Sequence, residues 1–483
     1  MKQLETDVVV IAGGTAGLAA ALTAAENGAR VIVFEKASTT GGTSNMSLGI
    51  FAVESRLQRQ RLMPVTKEEA FRVFMDYTHW RVDARLVKTF IDMSAGTLDW
   101  LESLGVEFAE PDAYFAGSYF TQHTLKVHGG GPGSGTPGGP SLPKVLTDRA
   151  KALGVQFFLR TPARKILKSG GRVAGVQAED DAGETVQAKA KAAIVATGGF
   201  GDNPEMIKKY TGFDYGRDLF PVAARNMVGD GIRMAWEAGA GQEGMNMQLI
   251  YLVPETETYR EVGIAFHQPH LVVNILGERF INEEILGNTT FTGNAIARQK
   301  NRCAFNIFDE DTKEYFEKNT LDFPKGIMST PHIDAEFKQA IAQGHKFIFV
   351  ADSLEELAAK TGISPEGLRR TVEEYNRAGE TGRDTLLDKK ARYLRPVRRP
   401  RFYAGKLYPT AYGSLGGIKI NYKTEVLTND HEVIPGLYAA GVDANAIYGD
   451  SYVIVLPGNT MGFAINSGRM AGAHAARYAQ GGG

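Results

Sequence analysis

Residues 7–36 carry the parts of a dinucleotide site. An apolar run, Asp7 to Ile11, leads into Ala12-Gly13-Gly14-Thr15-Ala16-Gly17. An alanine-rich stretch follows, then a second apolar run, Val31 to Phe34, that ends in Glu35 and Lys36. A glycine turn of this kind lets a pyrophosphate approach backbone N–H groups at a helix N-terminus. An acid about 20 residues further on binds both hydroxyls of an adenosine ribose. Glu35 fills that place and would repel a 2′-phosphate, which disfavours NADP. Ala12 replaces the usual first glycine, and it makes the tight turn if its φ stays negative.

These residues need a strand–turn–helix–strand unit, and the pattern supplies one. Further on, 41–50 is too rich in glycine and serine for a helix. Phe71, Val73 and Phe74, then Leu86, Phe90, Ile91, Leu98 and Leu101, recur at helical spacing over 67–105. The stretch 128–143 has a linker's composition but leads into a helix (Lys144 to Leu153) and a strand (Val155 to Leu159), so it reads as an ordered loop over a ligand. Another apolar strand, Ala192 to Ala196, precedes Thr197-Gly198-Gly199-Phe200, and Gly229-Asp230-Gly231 opens a helix through Trp236. From about 245 the glycine motifs stop. Strands near 271–275 and 304–308 and helices near 334–343, 353–361 and 365–378 are expected there, with Ser353 and Ser364 as helix starts. The glycine motifs return at about 401. The predicted division is a discontinuous nucleotide domain, 1–244 plus 401–483, and an inserted domain, 245–400.

The 483 residues are too many for one ordinary core. A net charge of −1 argues against general nucleic-acid binding. No apolar stretch reaches the ~18 residues of a membrane span. The lone Cys303 excludes an internal disulfide and a cysteine-ligated cluster, so any electrons come from an external donor or acceptor. No metal site is expected. The first seven residues run directly into a strand, leaving no room for a signal peptide, and the expected location is cytoplasmic.

Taken together, the motifs resemble the FAD-dependent fumarate reductase and 3-ketosteroid dehydrogenase superfamily over essentially the whole chain. The carriers are the first fingerprint, Gly41-Gly42-Thr43-Ser44, Ala196 to Phe200, Gly229-Asp230-Gly231, Gly436 to Gly441, and Pro457-Gly458-Asn459-Thr460. Asn274 to Glu283 resembles the signature of the family's cap. The resemblance implies an α/β fold, a Rossmann-like FAD-binding domain with an inserted α+β capping domain. It implies that FAD is held by Gly14, Ala16, Gly17, Glu35, Lys36, Gly41, Gly42, Thr43, Ser44, Ala163, Thr197, Gly198, Gly199, Asp230, Gly441, Gly458, Asn459 and Thr460. The histidine that carries a covalent flavin in the respiratory enzymes would fall near Ser44 to Met46 and is absent, so attachment is expected to be non-covalent.

The family's dicarboxylate-binding and proton-donating positions fall at Val253, near Thr289, at Tyr412-Gly413 and near Val455. None is cationic here, and a buried dicarboxylate needs cationic partners. A small neutral or partly apolar unsaturated substrate, not fumarate, is therefore expected. Tyr412 with Ser414 resembles the Tyr-x-Ser pair of ketosteroid Δ4-dehydrogenases, whose tyrosine exchanges a proton at carbon. The alternative is that Tyr412 is a packed aromatic at the end of a strand, 417–421. Arg279, Glu283 and Glu284 resemble a cap-domain proton path, with an ordinary ion pair as the competing reading. Tyr251, Val253, His128 and Val455 are candidate substrate contacts, and His123 a weaker one.

The leading expectation is hydride transfer from flavin N5 to an activated alkene of enoate or enone type. Backbone N–H groups near Gly458–Thr460 would polarise its carbonyl. A 3-ketosteroid-like dehydrogenase using Tyr412 and Ser414 is the alternative, and a non-catalytic flavin electron-transfer subunit the lesser one. The basic run 389–401 reads as a solvated connection, or else as a dock for an acidic electron-transfer partner.

Overall fold

The computed structural model describes residues 1–46, 48–126, 141–222, 225–323 and 329–482. They form two compact units, one of Met1–Gly212, Ala223–Gln248 and Tyr412–Gly483, the other of Phe213–Val222 and Leu249–Ala411. The short segment Phe213–Val222 groups with the second unit, a detour that no composition change marks. The fold is mixed α/β.

The first unit is built on a six-stranded sheet. Its order is Glu425–Leu427, Val433–Ala439, Ala192–Val195, Val8–Ile11, Val31–Phe34 and Gln156–Phe158, parallel except for the first pair. Val8–Ile11, Val31–Phe34 and Ala192–Val195 are buried at every position, as a sheet covered on both faces requires. Ala439 pairs with Val195, Val195 with Ile11, and Ile11 with Phe34, so four strands end level. Level carboxyl ends open the crevice in which ligands of such sheets bind.

Two helices meet that edge. Thr15–Glu26 follows the glycine turn, and Asn459–Ala479 closes the chain. They pack backbone to backbone. A Cβ on Gly468 would lie 2.2 Å from the Ala16 carbonyl oxygen, and one on Gly472 would lie 2.3 Å from that of Ala20. Glycines four apart thus face alanines four apart, and any larger residue would part the helices.

A four-stranded sheet (Lys2–Glu5, Thr185–Lys189, Arg172–Glu179, Ala163–Ser169) and a three-stranded one (Gly49–Phe51, Gln122–Leu125, Phe108–Asp112) complete the unit. In the second unit Ala304–Asp309 pairs antiparallel with Leu271–Val273 and with 402–407, which also pairs with Ile348–Ala351. Helices Ile333–Ala342, Leu354–Thr361 and Pro365–Thr381 lie close to the expected spans, and Ser353 and Ser364 cap the last two. The strand expected at 417–421 is instead the end of Phe402–Ile418, 17 residues long, with Tyr412 in its middle.

Candidate active site

The glycine turn is tighter than its sequence suggested. Ala12 adopts φ +83°, not the negative value its side chain prefers. Its carbonyl oxygen lies 2.0 Å from where a Cβ on Gly17 would stand, so the helix can sit on the turn only with glycine at 17. Left-handed backbone costs an alanine about 1–2 kcal/mol. Glu35 braces the turn: Oε2 accepts from Gly13 N and Oε1 from Ala37 N, both at 2.7 Å. Each oxygen keeps a lone pair for a ribose hydroxyl. Thr161 N donates to the Glu35 carbonyl at 2.8 Å, which brings the start of Ala163–Ser169 to the same place.

Space and unpaired atoms here suit a dinucleotide. A Cβ on Gly14 would meet nothing nearer than 4.0 Å, and one on Gly42 nothing nearer than 3.9 Å. Gly14 caps the helix without a side-chain bond. Thr15 Oγ1 is buried with no partner, as is Asn459 Oδ1 at the start of the closing helix. Gly41 N donates to Gly13 O at 2.8 Å, and Thr15 N to Ser44 Oγ at 3.4 Å, so the Gly42–Met46 turn with Thr43 folds against the fingerprint. Lys36 bonds Asp230 at 3.1 Å and the Asn226 carbonyl. Ala16 is buried beneath Gly441, whose N–H donates to Ser467 Oγ at 2.9 Å.

Asp443, which the sequence reading missed, holds the turn after Ala192–Val195. Its fully buried carboxylate accepts from Thr197 N, from Gly198 N at 3.2 Å, from Gly199 N at 2.9 Å and from Thr197 Oγ1 at 3.0 Å. Burial raises its pKa, and these bonds oppose the rise. Three N–H groups expected to face the cofactor therefore already have an acceptor. The one available signal was an acid two residues after Gly441, the glycine that follows the returning strand.

Tyrosines gather in the same unit. Tyr412 is 39% exposed and hydrogen-bonded to Tyr114, which raises its pKa well above the usual tyrosine range, with burial adding to the effect. Thr460 N donates to Tyr452 Oη at 3.4 Å, and Gln248 Nε2 to Thr460 Oγ1 at 3.2 Å. The Tyr448 and Tyr452 rings meet edge-on at 5.2 Å. Asn459 Nδ2 donates to the Val453 and Leu456 carbonyls at 2.6 Å, shaping the loop before the closing helix, and Gly458 takes φ +83°. Val455 is half-buried and its carbonyl accepts from Tyr119 N at 2.9 Å.

Several expected contacts fall elsewhere. Ser414 is fully buried and its Oγ accepts from Phe200 N at 2.9 Å, so it braces a turn and does not stand beside Tyr412 as a reacting hydroxyl. Tyr251 and Val253 lie in the core of the second unit at 1% exposure, and Tyr251 Oη donates to the Leu286 carbonyl at 3.0 Å. Arg279 and Glu283 form a closed ion network: the guanidinium bridges Glu283 at 2.7 Å and Asp384 at 2.9 Å, all three buried, with Lys389 at 3.4 Å from Glu283. A network this buried is unlike the ordinary ion pair expected as the competing reading. His123 is buried, with Ser55 Oγ at 2.7 Å from Nε2. His128 lies outside the described residues, as does most of its loop.

The basic run is not a free patch. Lys390 pairs with Glu284, Arg395 with Asp322, Arg398 with Glu380, and Arg399 with Asp311 and Glu314. Acids from distant segments pair with much of it, as a solvated connection allows.

A family model described as FAD binding domain matches residues 7–459. The chain belongs to this family. It is 34% identical to the vinyl phenol reductase of Lactiplantibacillus plantarum, over 98% of this chain and 96% of that one. Among solved structures it is similar to a 3-ketosteroid-Δ4-(5α)-dehydrogenase from Rhodococcus jostii (25% identity, TM-score 0.76, covering 99% of this chain and 98% of the other). It is also similar to the open conformation of a flavocytochrome c3 fumarate reductase (28% identity, TM-score 0.71, covering 99% and 79%). The protein is an FAD-dependent oxidoreductase acting on carbon–carbon bonds. Among the described residues no helix is long and apolar enough to cross a membrane, and no cluster of His, Cys, Asp and Glu is placed to hold a metal ion.

Proposed function

We propose that this protein reduces the side-chain double bond of a neutral aryl alkene of the vinyl phenol type, with Tyr412 as proton donor. The observation that carries the reading is Tyr412, a partly exposed residue whose hydroxyl pairs with Tyr114, in a site whose neighbouring serine is bound to backbone. The lack of a cation at Tyr412 and Val455, where the family has dicarboxylate-binding groups, supports it, as does the likeness to a vinyl phenol reductase. Fumarate would bring two carboxylates to positions that offer no cation.

FAD would lie with its adenosine ribose at Glu35, its pyrophosphate at Gly14 and Gly42, and its ring toward the start of the closing helix at Asn459 and Thr460. When bound and reduced by an external donor, it supplies the hydride. Tyr412 does the rest of the chemistry at carbon. A vinyl group conjugated to a phenol is electron-rich at its terminal carbon, so that carbon takes the proton and the benzylic carbon takes the hydride. Tyr412 is a weak acid, and the substrate's own oxygen must drive electrons toward the proton it offers. Its raised pKa keeps it protonated at neutral pH but makes it a weaker acid, so the push from the substrate's oxygen has to be strong. Tyr114 orients the hydroxyl, and Gln248 and Tyr452 fix Thr460 beside the helix N-terminus. We read the enzyme as cytoplasmic, in line with its one buried, unpaired cysteine.

The test is anaerobic reoxidation of the photoreduced flavin by 4-vinylphenol, styrene, fumarate and 4-androstene-3,17-dione in parallel. Rapid reoxidation by 4-vinylphenol is expected, with Tyr412→Phe slowing it by about 10²–10⁴-fold while flavin binding holds. Fast reaction with fumarate, or full activity of Tyr412→Phe, would overturn the reading.

A further inference from the structure

A cavity of about 500 Å³ opens on the first unit between the end of helix Thr15–Glu26, helix Ala84–Ser103, the turn at 422–423 and the second half of Asn459–Ala479. No residue that lines it belongs to the flavin cradle described above. Arg469, Arg477 and Lys423 bring three cations to its wall against one carboxylate, Glu26. Glu26 is already held by the Trp100 indole N–H at 3.1 Å.

None of the three cations lies within ion-pair distance of a carboxylate among the described residues, whereas the basic run at 389–401 is largely neutralised. Arg469 is the most constrained. Its Nη1 donates to Thr97 Oγ1 at 2.6 Å, its guanidinium lies 4.6 Å from the centre of the Trp100 ring, and its Nε is buried without an acceptor. Apolar groups lie among these cations in the lining: Met93, Met470, Ala473 and the Tyr422 ring, which Arg85 covers from 3.8 Å.

We propose that this cavity is a second ligand site, built for a small amphipathic carboxylate. The carboxylate pairs with Arg469, with Lys423 and Arg477 at the rim, and the apolar body lies against Met93, Met470 and Tyr422. A guanidinium matches a carboxylate's two oxygens better than a point charge does. The thioethers and the tyrosine ring suit a flat hydrocarbon. The site is independent of the reaction assigned above, since it shares no residue with it.

Trp100 supplies the readout, because the chain has only three tryptophans. The flavin-loaded enzyme, labelled with 5-fluorotryptophan and assigned through Trp100→Phe, is titrated with benzoate, inorganic phosphate and benzyl alcohol, following the Trp100 ¹⁹F resonance. Benzoate is expected to shift that resonance saturably and to bind at least about tenfold more tightly than phosphate or benzyl alcohol. Arg469→Gln should weaken benzoate by about tenfold or more, the loss of one charge-assisted bond. Lys423→Ala with Arg477→Ala should weaken it without touching the packed part of Arg469. No Trp100 shift at about 10 mM benzoate, equal binding of phosphate, or unchanged affinity in both variants would overturn the proposal.

Discussion

Replacing Asp443 with asparagine changes one oxygen to an amide and little else in shape. In the native fold one carboxylate oxygen accepts from Thr197 N and Gly198 N, the other from Gly199 N, with Thr197 Oγ1 within reach of both. An asparagine can keep only one acceptor, so its NH₂ must face at least one backbone N–H. That leaves two buried donors without acceptors, at about 1–3 kcal/mol each. Relief of the buried charge offsets part of this, because burial outweighs the hydrogen bonds in setting the carboxyl's pKa. The expected net loss is about 3 kcal/mol, read from urea unfolding at saturating FAD. The pH dependence carries a sign. The folded pKa is raised, so this group's stabilising contribution is fully present below the unfolded value of 3.8 and is lost as pH rises through the folded pKa. The gap between parent and variant should therefore narrow with rising pH over that window. A loss under about 0.5 kcal/mol would refute the bracing role. A gap that widens with pH would refute the view that burial dominates.

Three other outcomes follow from the same geometry. Gly17→Ala places a methyl 2.0 Å from the Ala12 carbonyl oxygen, and the purified protein should lose FAD and several kcal/mol of stability, seen as flavin released on gel filtration. Arg279→Met leaves Glu283 and Asp384 buried without their shared partner and should cost about 3–5 kcal/mol in urea unfolding, while burial, which favours protonation of Asp384, is overcome in the parent by the Arg279 bonds that hold it at about 2. Burial pushes His123 down to about 4, so it stays neutral in the fold where the unfolded chain takes a proton; stability should fall as pH drops from about 6.5 to 4, and ring NMR shifts that titrate near 6.5 would contradict it.

Local pattern made much of the architecture legible. The strands Val8–Ile11, Val31–Phe34 and Ala192–Val195 are continuous apolar runs, and helices such as Leu354–Thr361 and Pro365–Thr381 begin at serines that cap them. The sheet at Lys2–Glu5, Thr185–Lys189, Arg172–Glu179 and Ala163–Ser169 was passed over because its strands are half-exposed and charged, with no continuous apolar run to mark them. Strand Phe402–Ile418 was missed for the opposite reason: its glycines and its one proline look like turns, yet they let it bend and keep pairing.

The sequence by itself determined where the backbone must turn: Gly17 is required by local sterics, Gly14 and Gly42 leave open space beside it, and the pattern sufficed to call for a dinucleotide. Only the tertiary structure decided which polar groups those turns leave free. Asp443 reaches Thr197 across 246 residues, and Arg279 reaches Asp384 across 105. Ser414 and Arg279 look reactive as residue types, but partners far along the chain bind their donors and acceptors. Tyr412 is partly exposed, and its hydroxyl pairs with another phenol, Tyr114, which raises its pKa and leaves it protonated. Hydrogen-bond satisfaction is a property of the packed whole, and spacing along the chain does not encode it.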